Sequence, residues 1–152
     1  MEDSVSEERL RRIREHRHAP IEDVIAEQKL IAIVGDDRQE VVLQVGRPYV
    51  DSDGVARCPV ASWGLDNRHP DIGGVETLQA LNLACGLLER RLLDEIYSGR
   101  TKFILPECVE DDPISAQFVT MSLFGRTMVK RPRQRKSDAP SPVEQDIQDG
   151  TE

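Results

Sequence analysis

"GGVETLQALNLACGLLERRLLDEI", residues 73–96, decides the fold of this chain. Val75, Leu78, Leu81, Cys85, Leu88, Leu92 and Ile96 recur at steps of three and four, the spacing of one face of a helix. Ala80, Leu83, Ala84 and Leu87 widen that stripe, while Glu76, Gln79, Asn82, Glu89 and Arg90 fill most of the remainder. The pattern predicts one long helix over 75–97, entered tightly at Gly74 and stopped at Ser98-Gly99. A stripe this broad must cover an apolar surface. Each fully buried leucine contributes roughly 1.5–3 kcal/mol, so this packing is the expected main source of stability.

Upstream of the helix the period changes from helical to strand-like. "VIAEQKLIAIV" (24–34) and "EVVLQVGRPYV" (40–50) flank the turn signal Gly35-Asp36-Asp37 and read as a β-hairpin. In the second arm Val41, Leu43 and Val45 share one face, which should point to the core. "VARCPVASWGL" (55–65) reads as a third strand in which Pro59 marks an edge or a bulge. "DNRHPDIGG" (66–74) reads as a loop, "RTKFILP" (100–106) as a candidate fourth strand, and 114–129 as either helix or strand. The expected fold class is therefore α+β: an antiparallel sheet of three or four strands packed on one long helix. Residues 1–20 form a marginal N-terminal helical arm ended by Pro20, with only Leu10 and Ile13 as an apolar stripe. Residues 21–129 form the domain, and 130–152 read as a disordered charged tail.

Charge narrows the partners. The chain has 152 residues with 28 acidic and 20 basic side chains, a net charge of −8. The arm is balanced, and the basic run "KRPRQRK" (130–136) offsets the acids of 138–152, so the deficit falls on the domain. An acidic body disfavours a nucleic-acid backbone and favours basic partners or simple solubility. Aromatic residues are 4% of the chain, too few for a stacking platform under single-stranded nucleic acid. No run approaches the roughly 20 apolar residues of a membrane span, and the opening "MEDSVSEERLRRIREHRHAP" has no apolar leader core. A cytoplasmic location is the expectation.

Signals for chemistry are sparse. Cys58, Cys85 and Cys108 fit no zinc spacing, and their odd number argues against a disulfide framework. His16 and His18, two apart, cannot share a helix face as metal ligands. No phosphate-cradling glycine motif and no nucleophile motif is present. The segment 63–71 alone gathers acid, base and aromatic groups: Trp63, Asp66, Arg68, His69 and Asp71. It is the candidate site if the protein is a small enzyme, and otherwise a polar connection between strand and helix. Lys130, Arg131, Arg133, Arg135 and Lys136 are the candidate nucleic-acid contacts, and Glu107, Glu110, Asp111 and Asp112 the candidate patch for a basic protein.

Cys58, Pro59, Gly64, Gly74, Val75, Leu78, Gln79, Ala80 and Leu81 also form a pattern. Over about residues 24–105 the chain resembles a bacterial family of small uncharacterised α+β domains, in which a Cys-Pro segment precedes a Gly-Val-Asp-x-Leu-Gln-Ala-Leu helix start. Glu76 stands where that pattern has aspartate. The resemblance implies a bacterial cytoplasmic domain and supplies no activity. Within the motif, Gln79 is expected to hydrogen-bond the preceding loop or a strand edge.

The sequence thus points to a non-enzymatic binding protein without cofactor or metal. Its concrete form is an immunity- or antitoxin-like protein whose acidic body blocks a basic partner. The alternatives are a nucleic-acid accessory protein using 130–136, a small enzyme with its site at 63–71, and a homodimer formed through a sheet edge or apolar patch.

Overall fold

The computed structural model describes residues 2–108 and 112–125. The segment 130–152 and residues Glu110 and Asp111 lie outside the described residues. Helix α1 (Glu2–His18) precedes a long hairpin of β1 (Val24–Val34) and β2 (Asp37–Gly46). Five short strands follow: β3 (Tyr49–Val50), β4 (Ala56–Cys58), β5 (Val60–Trp63), β6 (Asn67–Arg68) and β7 (Ile72–Gly74). Helix α2 (Thr77–Ser98), strand β8 (Lys102–Ile104) and a final turn, α3 (Ala116–Phe118) running into a wider turn at Val119–Leu123, complete the order.

The strands make two antiparallel sheets, one in the order β6-β5-β2-β1-β8 and the other β3-β4-β7. The α+β class and the single long helix are as the sequence predicts, and the strands outnumber the three or four expected. Three local causes account for the excess, the first being that the expected strand 40–50 divides at Arg47-Pro48 into β2 and β3, which join different sheets. Pro59, which lacks an N–H, interrupts the expected third strand. Cys58 before it pairs with β7 in the small sheet, while Val60 after it pairs with β2 in the large one. The expected loop 66–74 likewise contains β6 and β7, strands of two and three residues that are too short to show a period.

Alternation along the hairpin fixes its register. Val41, Leu43 and Val45 are buried as expected, and Leu30 and Ala32 join them from β1. At the hairpin tip Gly35 has φ +60°, a left-handed conformation suited to a residue without Cβ. Phe103 of β8 and Val119 complete the core around Leu88 and Leu92.

Helix α2 lies over β4 and β7 and also touches β2, β5 and β8. Its buried line is Ala80, Ala84, Leu88 and Leu92, a strict four-residue step. Val75 and Leu78 are corrections to the predicted stripe: they are 81% and 68% exposed, and Leu83 is exposed too. The cause is the close approach at the helix entry. A Cβ on Gly74 would lie 2.7 Å from the Ala80 backbone nitrogen. Only alanine-sized contacts fit there, so the face centred on Ala80 and Ala84 turns inward. At about 100° per residue this carries Leu78 and Leu83 toward solvent. Glu89 is buried rather than exposed, the reverse of its assignment to the polar side. Gly99 caps the far end with φ +70°, its N–H donating to the Ile96 carbonyl at 3.1 Å.

Candidate functional site

Residues 66–71 meet helix α1. Between them opens a cleft of about 990 Å³, closed on its third side by α2. The helix contributes a face spaced at three and four residues: Val5, Arg9, Arg12, Ile13, His16 and Arg17. The opposite wall is Asp66, Arg68, His69 and Pro70, with Leu87 and Arg91 from α2. The expected polar cluster thus comes together, except that Trp63 turns away and donates its indole N–H to Gln44 Oε1 at 2.8 Å.

Arg68 ties the arm to the domain. Its Nη1 donates to the carbonyls of Pro20 at 2.8 Å and Ala19 at 3.3 Å, where the chain leaves α1, while Nη2 pairs with Asp71 at 3.2 Å. The two side chains of this ion pair are each 13% exposed, and Arg68 Nε is buried without a hydrogen-bond partner. His16 Nε2 donates to the His69 carbonyl at 3.0 Å, adding a second polar link. Arg91 grips the Asp66 carboxylate through Nε at 2.5 Å and Nη2 at 3.1 Å, and also reaches Glu95 at 3.3 Å. Glu95 in turn accepts from the Thr101 hydroxyl at 2.9 Å. A continuous polar chain therefore runs from the start of β8 to the cleft.

Ser62, His69 and Asp66 look at first like a hydrolytic trio. Ser62 Oγ lies 2.9 Å from His69 Nε2, and Asp66 Oδ2 lies 3.9 Å from that same nitrogen. A nucleophile, base and orienting acid need the carboxylate on the other ring nitrogen, so that Nε2 is free to take the hydroxyl proton. Ser62 is also fully buried, out of reach of any substrate. Burial is the largest influence on His69 and holds its pKa below the ordinary value, an effect the nearby Arg91 and Arg17 reinforce and Asp66 opposes. The neutral ring therefore serves as a packing and hydrogen-bonding piece.

The thiols are no better placed for chemistry. Cys58 is buried, and loss of water pushes its pKa up to about 11, so it is not a thiolate near neutral pH. Cys85 is half-buried, Cys108 is exposed, and none of the three is in a disulfide. Among the described residues no group of three His, Cys, Asp or Glu side chains could hold a metal, and no helix is long and apolar enough to cross a membrane.

Of the acidic loop, Glu107 and Asp112 are described and both are exposed; Glu110 and Asp111 lie outside the described residues. Lys130, Arg131, Arg133, Arg135 and Lys136 lie outside them as well. Gln79 hydrogen-bonds the preceding loop, as expected from its place on the helix. Its Oε1 accepts the Val75 N–H at 2.6 Å, reaching back from the first helical turn to the loop before it. The reach stands in for a side-chain cap, since Glu76 at the cap position makes no such bond.

The cleft itself was not legible in the sequence, because it forms between segments some fifty residues apart. The one available signal was the row Arg9, Ile13, Arg17 at four-residue steps. No family model, no curated protein and no solved structure matches this chain.

Proposed function

We propose that this protein is a non-enzymatic binding module whose recognition site is the cleft between α1 and residues 66–71. The observation that supports this reading is the wiring of its polar groups. His16, His69, Ser62, Arg68 and Arg91 are engaged in holding the fold, and the serine-histidine-aspartate trio lacks the geometry of a nucleophile. What remains is a shaped hollow with apolar patches and positive charge, at the upper end of the roughly 300–1,000 Å³ of small-molecule sites.

The experiment has two arms. A thermal-shift screen of small amphipathic and charged compounds should yield stabilising hits whose NMR shift changes centre on Ile13, His69 and Leu87. A panel of chromogenic esters, phosphates and glycosides should show no turnover. Hits mapping elsewhere, or a turnover abolished by His69→Ala, would overturn the reading. Docking of a basic protein is a second proposal, supported by the net charge of −8 and the exposure of Glu107 and Asp112. Low-salt pull-downs with wild type and a Glu107→Lys/Asp112→Lys variant test it, and equal capture by both would end it.

A further inference from the structure

The charge of the cleft opposes that of the molecule. Its lining has five arginines, Arg9, Arg12, Arg17, Arg68 and Arg91, against two acids, Glu8 and Asp66, in a chain of net charge −8. These arginines are not equivalent. Arg12 is taken by Glu8 at 3.0 Å, Arg91 by Asp66 and Glu95, and Arg68 by Asp71. Arg9 and Arg17 make no ion pair with any described carboxylate, and among the described residues the side chain of Arg17 makes a single long hydrogen bond, 3.5 Å, to the Asp66 carbonyl. Both sit on the cleft face of α1, one turn before and one turn after Ile13. A turn is about 5.4 Å, so the two guanidinium stems rise on either side of one apolar side chain. Leu87 and Pro70 face them across the hollow.

Charge without partners beside apolar surface selects a ligand with both properties. A bare inorganic anion would leave Ile13, Leu87 and Pro70 uncovered, and a neutral apolar molecule would leave two arginines facing it unpaired. A nucleic acid would meet a chain of net charge −8. Resting on the binding reading above, we infer that the cleft takes an amphipathic organic anion. Its carboxylate or phosphate head lies between Arg9 and Arg17, and its apolar body covers Ile13, Leu87 and Pro70. Guanidinium groups suit either head, since each presents paired donors to two oxygens.

Calorimetric titration of the full chain with decanoate, decyl phosphate and decyltrimethylammonium, all below their micelle concentrations, tests the inference. Both anions should bind one per chain and at least tenfold more tightly than the cation, and the tighter of the two identifies the head group. Arg9→Glu/Arg17→Glu, at two exposed positions, should keep its circular dichroism and lose at least tenfold in anion affinity. Anion binding that this variant leaves unchanged overturns the inference, as does a cation that binds as tightly as the anions. In the latter case, loss of binding in Leu87→Asp would keep the cleft as the recognition site and discard only the ligand class. Failure of all three probes, together with no hit mapping to the cleft in the screen above, would discard both.

Discussion

Helices α1 and α2 are held by opposite kinds of force. Helix α2 drives Leu88 and Leu92 into the shared core of both sheets, continuing the buried line of Ala80 and Ala84. Helix α1 leaves Val5, Leu10 and Ile13 at 71%, 53% and 48% exposure, and is fastened near its C-terminal end by Arg68 and His16. Apolar burial grows with area and needs no particular partner, whereas a polar clamp depends on a few donors and acceptors. The first arrangement builds a domain; the second fastens a wall to it near one end.

Substitutions at the two helices should separate these forces. Leu92→Ala removes a fully buried side chain from the core and should cost about 2–5 kcal/mol of global stability in denaturant titration. Arg68→Ala should cost about 2 kcal/mol. Its signature should be local: proteases should cut within residues 5–20 while the near-ultraviolet signal of Trp63 stays intact. Equal losses of helix and sheet in this variant would remove the distinction between the two regions. The Leu78→Ser change sharpens it from within α2. At 68% exposure Leu78 should matter by no more than about 0.5 kcal/mol, although sequence periodicity places it in the same stripe as Leu92.

Acid should weaken the protein through His69. Its folded pKa lies below the ordinary value near 6.5, so the unfolded chain takes up a proton first. The stability contributed by the neutral ring is complete above about pH 6.5 and declines as pH falls from there toward the folded pKa. Chemical denaturation at pH 7.5 and pH 5.5 should show that decline in wild type, and His69→Gln should flatten it. This is the smallest of the expected effects, because the ring is only partly enclosed.

Strong periodic signals survived folding and local contacts overrode the weak ones. The alternation Val41, Leu43, Val45 and the leucines of α2 foretold the hairpin and the helix because many residues agreed on one face. The rotation that exposes Leu78 and Leu83 comes from one contact, Gly74 against Ala80, to which a hydrophobic period is blind, and Val75 precedes the helix altogether. Pro59 was legible as an interruption, but two sheets rather than one bulge could not be read from a single residue. The polar run 66–71 stood out as a cluster, and its chemistry depended on geometry. That Asp66 and Ser62 approach the same nitrogen of His69 is a fact of side-chain placement, invisible in spacing.

The Arg68 clamp ties two equilibria together. This one side chain belongs to β6, lines the cleft and holds the carbonyls where α1 ends, so opening the clamp dismantles the cleft. A molecule that fits the hollow binds only the closed form, and mass action makes its occupancy a restraint on the arm. Filling the cleft should therefore slow amide-hydrogen exchange along residues 5–18 in proportion to ligand concentration, while the amides of the leucine helix keep their own pace.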